Sequence, residues 1–209
     1  GTGYFNAEYI YEKAADQDMP FDWEAYRSNP AQVCISAARA DTGETVYWGR
    51  EDMPTQDDLM VRVRASSTLP LIMPMRIIDG APYVDGAMGE SGGLLIEQAE
   101  KAGFEKFLFL GTKPRGYVRP KAGRPTALRR IFRKYPAVAE AMIARPAKYN
   151  ASKDRLVELE KQGKAQLFFP EDMQVASTER DVAKLRSNFE AGRAQTYAEW
   201  PAWREFLTS

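Results

Sequence analysis

The sequence predicts an α/β fold, a sheet with flanking helices that leads into a mainly helical appendage at the C-terminus. Strand and helix signals alternate from residue 22 to the apolar run Lys106–Leu110 (KFLFL). Beyond Pro114 the apolar positions recur at helical spacing instead. Hydrophobic residues are 44% and charged residues 28% of the 209, a balance that suits a chain with one substantial core. The expected division is a sheet domain over 1–113 and a helical appendage over 114–209.

In order along the chain, Tyr9, Ile10 and Ala14 share a helical spacing within Ala7–Ala14. Asp22 is placed to cap a short helix through Ser28, which Asn29-Pro30 stops. Gln32–Ala38 (QVCISAA) reads as a buried strand and Thr45–Trp48 as its hairpin partner. Asp41-Thr42-Gly43-Glu44 between them is turn chemistry, with Gly43 free to take positive φ. Thr55 opens a helix with Asp58 at capping-box spacing, and Leu59, Val63 and Ala65 form its apolar side up to Ser66-Ser67. Met75–Ile78 and Pro82–Val84 make a second hairpin around Asp79-Gly80. A glycine-rich turn, Gly89–Gly93, enters a helix over Leu94–Ala102 that Gly103 ends, and Lys106–Leu110 is the last central strand. Helices are then expected at 126–134, 137–145, 152–162, 179–191 and 196–207, with Gly163 and Gly192 as C-caps and Ala165–Phe169 as a short strand. Trp200, Trp203 and Phe206 are expected to form the seam that docks the last helix.

Composition removes several chemistries. The chain has no histidine, which excludes a Ser-His-Asp triad, a Cys-His pair and any histidine metal site. Its one cysteine, Cys34, lies in an apolar strand pattern and is expected in the core; it can form no internal disulfide or multi-cysteine zinc site. Neither metal nor cofactor is expected. Lys+Arg and Asp+Glu are both 29, so no bulk attraction to polyanions exists and no nucleic-acid partner is expected. No apolar run reaches the ~18 residues of a membrane span. Gly1-Thr2-Gly3 carries no methionine, so residue 1 is expected to be a tag scar or a cut inside a longer gene product.

Residues 61–110 are the informative stretch. An Ala65-Ser66-Ser67-Thr68-Leu69-Pro70 helix end leads to an apolar loop and hairpin, and then to Tyr83-Val84-Asp85-Gly86-Ala87, a helix and a central strand. This ordered pattern resembles the C-terminal part of the patatin-like phospholipases, serine lipid acyl hydrolases, and more narrowly a bacterial subgroup with a helical tail. The resemblance continues through Thr112-Lys113-Pro114-Arg115-Gly116-Tyr117 and into the tail. It implies a partial patatin-like sheet and a Ser-Asp dyad. Asp85 of Asp-Gly-Ala would be the general base, and the nucleophilic serine and glycine-rich oxyanion loop would lie upstream of Gly1. No cofactor is required. The implied substrate is a lipid or carboxylic ester, the implied partner is the missing N-terminal part, and the chain alone would be inactive. Without the resemblance, Asp85-Gly86 reads as a solvent-facing turn, as Asp79-Gly80 does.

Gly89-Glu90-Ser91-Gly92-Gly93 also spells Gly-x-Ser-x-Gly. The strand before it is interrupted and no histidine follows, so Ser91 reads as part of a helix entrance rather than as a nucleophile. Leu69–Met75 reads equally as an acyl-chain pocket wall or as core. From Lys106 to Ala139 there are ten basic residues and no acidic one. This segment is either a contact for anionic membrane lipid or a solvated face neutralised by other segments. The competing function is therefore a non-catalytic module that docks on a membrane or protein through a basic face. The expected location is cytoplasmic and membrane-peripheral.

Overall fold

The hairpin chemistry of Asp41–Glu44 builds the first half of the sheet. β1 (Ile35–Arg39) and β2 (Thr45–Trp48) pair antiparallel, with Ile35 opposite Trp48 and Ala38 opposite Thr45. Gly43 takes φ +80°, as the turn requires. β3 (Arg76–Ile78) and β4 (Ala81–Asp85) form the second hairpin, where Asp79 and Gly80 both have positive φ. β4 also pairs with β1, so the antiparallel sheet runs β2-β1-β4-β3. The computed structural model describes residue 6 and residues 8–13, 19–176 and 178–209. Ala7 and Ala14 of the expected first helix lie outside the described residues; Tyr9–Lys13 is a short π-helical turn.

Contacts group the chain into two compact units, one of residues 1–95 and 120–150, the other of 96–119 and 151–209. In the first, strand alternation divides the apolar residues between two faces. Ala37 and Tyr83 join Trp48, Ile78 and Ala65 of α2 (Gln56–Ser66). Their strand neighbours Ala38 and Val84 join Ala87, Met88, Phe132, Val138 and Ala139 on the opposite side. That side is covered by α4 (Pro125–Ile131) and the start of α5 (Pro136–Lys161). Burial of both faces makes β4 an almost wholly apolar strand, each large buried side chain contributing about 1.5–3 kcal/mol. The caps are local and as expected: the Asp22 carboxylate accepts the Ala25 N–H at the start of α1 (Trp23–Ser28), and Thr55 Oγ1 accepts that of Asp58.

The second unit contains α3 (Ile96–Lys101), β5 (Phe107–Leu110), β6 (Ala165–Phe168), α6 (Val182–Thr208) and the rest of α5. Here the expectations need correction. Lys106–Leu110 is not a central strand of the main sheet: β5 pairs parallel with β6 in a separate two-stranded sheet, Phe107 opposite Ala165. An apolar run does not specify its partner. The helices expected at 137–145 and 152–162 are one helix that passes through Pro146. Val138, Pro146, Tyr149, Lys153 and Leu156 are all buried, so one stripe keeps its register across the proline. Likewise 179–191 and 196–207 are one helix, α6, and Gly192 does not cap it. Gly163, at φ +71°, does end α5 as expected.

Candidate active-site cleft

Asp85 ends β4 opposite Ala37 of β1, at the point where the strand gives way to a 3₁₀ turn over Gly86–Met88. Its backbone is clamped from behind, since its N–H donates to the Thr68 carbonyl at 2.9 Å. Thr68 is fully buried just past the end of α2, and its hydroxyl donates to the Arg64 carbonyl at 2.7 Å. The Asp85 side chain caps the 3₁₀ turn: Oδ1 accepts the Ala87 N–H at 2.7 Å. This hydrogen bond helps fix the carboxylate plane, a geometric requirement for directed proton transfer.

Gly86 explains why the strand can leave so sharply. A Cβ there would fall on the Oγ and carbonyl oxygen of Ser36 and within 2.9 Å of its carbonyl carbon. Only a residue without a side chain lets the two strands approach so closely.

The carboxylate is half-buried and faces a cleft of about 350 Å³, whose walls include Cys34, Ser36, Ser66, Ser67 and Gly86. Such a space admits a small hydroxyl-bearing group beside the carboxylate. The cysteine is a correction. Cys34 precedes β1 and is exposed at the cleft rather than packed in the core. Partial desolvation pushes its thiol above the ordinary value, which favours the protonated form. Ser67 at the wall donates its hydroxyl to the Val63 carbonyl at 2.9 Å, an ordinary helix-end bond. From the sequence Ser66 and Ser67 are expected only as a helix end and Cys34 only as core, so their place on the cleft wall is new. Three hydroxyl residues in succession before Leu69-Pro70 were the available signal.

Ser91 is buried, at 4% exposure, and does not itself line this cleft, although Gly93 and Leu95 from the same turn do. Its Oγ accepts the Leu95 N–H at 3.1 Å, and two residues separate the glycine turn from α3. The turn is glycine-rich for packing: a Cβ on Gly92 would stand 2.7 Å from the Tyr149 Cα. Leu69–Met75 does not line the Asp85 cleft; Met73 is buried, Met75 packs against the core, and Leu71 is exposed at φ +74°.

In the basic segment, Arg115 forms a two-pronged pair with Glu160 and Arg129 another with Glu140, each with a contact of 2.6 Å. Acidic residues outside the segment thus neutralise part of it. Among the described residues no group of three or more Cys, Asp or Glu could hold a metal ion, and no helix is long and apolar enough to cross a membrane.

No curated protein matches the chain. Residues 135–208, which hold α5, β6 and α6 but not Asp85, match a family model described as a domain of unknown function, DUF6363.

Proposed function

We propose that the chain is the C-terminal part of a patatin-like serine lipid acyl hydrolase in which Asp85 is the general base of a Ser-Asp dyad. The observation that supports this most is the placement of Asp85. A carboxylate at the end of a buried strand, clamped through its backbone and accepting the Ala87 N–H, borders a cleft large enough for a partner hydroxyl. A solvent-facing turn such as Asp79-Gly80, where both residues are exposed, has none of these features.

In this reading the serine comes from residues upstream of Gly1. As its Oγ attacks the acyl carbonyl, its proton passes to Asp85, and the developing oxyanion is held by the upstream glycine-rich loop. Asp85 returns the proton to the leaving alcohol as the ester C–O bond breaks. A water then attacks the acyl-serine carbonyl with Asp85 again accepting the proton, which passes to the serine Oγ as its C–O bond breaks and the acid is released. The substrate is a lipid or other carboxylic ester.

The test uses the parent polypeptide with its upstream residues and a short-chain nitrophenyl ester. Asp85→Asn should reduce kcat by about 10²–10⁴-fold, whereas Ser91→Ala should leave turnover largely intact. The chain of 209 residues by itself should show none. The reverse pattern, with Ser91 essential and Asp85 dispensable, would overturn the assignment.

A further inference from the structure

α6 meets its own unit through one face. Trp203, 4% exposed, sets edge-on against Phe168 with ring centroids 5.4 Å apart, and the Gln195 amide donates to the Phe169 carbonyl at 2.9 Å. A second apolar face is left uncovered. Val182, Phe189, Trp200 and Leu207 are 60%, 65%, 49% and 53% exposed. At about 100° per residue Val182 falls in line with Trp200, and Phe189 and Leu207 lie within about 20° of it. The four therefore form one ridge, roughly 38 Å long at 1.5 Å per residue.

The edge of this ridge is basic. Arg193 lies about 20° from the Trp200 line, and Arg186 and Arg204 about 40°, all on the same side. Arg186 and Arg204 form no ion pair among the described residues. Arg193 pairs with Glu190 at 3.6 Å, an exposed contact that can be exchanged for another anion. A Phe and a Trp project from the middle of the ridge with guanidinium groups along its border. That is the composition of a helix lying in the plane of a bilayer interface, with aromatic rings in the head-group region and arginines on lipid phosphates.

We propose that α6 is a membrane-contact helix that lies on bilayers containing anionic phospholipid. Its ridge of Val182, Phe189, Trp200 and Leu207 enters the acyl boundary, and Arg186, Arg193 and Arg204 engage phosphate. The charge of that edge favours a lipid surface over an apolar protein groove or a second copy of the chain, whose own α6 edge would repel it. Of the basic segment 106–139, Lys106 reaches the C-terminal end of α6, where its Nζ donates to the Phe206 carbonyl at 3.5 Å. The inference stands apart from the hydrolase reading, because its test measures binding and needs no turnover.

The test is co-sedimentation of the chain with vesicles of phosphatidylcholine, with and without phosphatidylglycerol. Binding is expected only with phosphatidylglycerol and should weaken as salt is raised. Phe189→Ser with Trp200→Ser should weaken it at least about tenfold. Arg186→Gln and Arg204→Gln should each weaken it about fivefold. Phe189, Arg186 and Arg204 are exposed, and Trp200 is half exposed with one ring contact, to Trp203 at 6.4 Å; far-UV circular dichroism should therefore be unchanged, which separates loss of binding from loss of fold. The triple variant Arg129→Gln, Arg130→Gln, Arg133→Gln should bind as the parent does. The proposal is overturned by absence of co-sedimentation, by loss of binding in the triple variant alone, or by a dimer in solution that Phe189→Ser with Trp200→Ser dissociates.

Discussion

Gly86 is the position where one atom decides the geometry of the cleft. The Ser36 backbone occupies the space a Cβ would need, and neither a strand carbonyl nor its neighbours can withdraw without breaking the β1–β4 pairing. Gly86→Ala should therefore destabilise the chain by at least about 2 kcal/mol, read as a shift in urea midpoint with unchanged slope. Gly80→Ala is the useful contrast, because nothing stands near its Cβ and only the φ of +79° resists substitution; its cost should be the smaller of the two. Cys34 and Trp200 show why individual residues were harder to read than their setting. The apolar run around Cys34 is real, but the strand starts one residue after it, so its side chain is exposed at the cleft. Trp200, Trp203 and Phe206 step back by about 60° at each interval of three, so only part of the series can face inward; Trp203 is buried and Trp200 is turned out.

At the scale of elements, what could be read from the sequence was local. The Asp22 and Thr55 caps, the Gly43 turn and the Gly163 helix end each depend on residues within four positions, and each forms as expected. What could not be read depended on partners distant in sequence: the pairing of β5 with β6, and the continuity of α5 and α6 past Pro146 and Gly192. A proline or glycine normally marks a helix boundary, but a continuous buried stripe outweighs that preference in α5, and in α6 the docking face spans Gly192. For α6 this leads to a measurable gain. A Cβ on Gly192 would meet nothing within 4 Å, so Gly192→Ala should stabilise the helix by about 1 kcal/mol. Thermal unfolding should show this as a rise of roughly 2–4 °C. That Asp85 ends a strand was legible, because Tyr83-Val84 before Asp-Gly is a local pattern; that it borders a cleft was not, because the residues alone read as a solvent-facing turn. The Thr68 clamp behind it was not, because that contact joins the end of a helix to the end of a strand.

At the scale of the whole molecule, charge shapes the response to pH. Asp41, Asp58, Glu100 and Glu140 are all held below the usual carboxylate range, first by side-chain hydrogen bonds from Arg39, Thr55, Arg155 and Arg129. A carboxyl group whose folded value is depressed adds stability above its unfolded value, and that stability is lost as pH falls through the folded one. The chain has no histidine, so no side chain has its ordinary titration between about pH 5 and 8. Stability from urea unfolding should thus be level across that window and fall below about pH 4. Arg155→Met should flatten part of the acid decline, since it removes the leading cause of the Glu100 depression. A slope centred near pH 6.5 would contradict this account.

The parallel pairing of β5 with β6 also has a consequence in time. Phe107 meets Ala165, a partner 58 positions later, whereas Ala38 meets Thr45 within one tight hairpin. Closing so long an intervening stretch costs configurational freedom before any contact repays it, so this ladder forms late in the folding sequence. A ribosome must release the chain well past Phe168 before Phe107 can find its neighbour. Until then the FLFL edge is an unpaired apolar strand, of the kind that chaperones or another copy of the chain can capture.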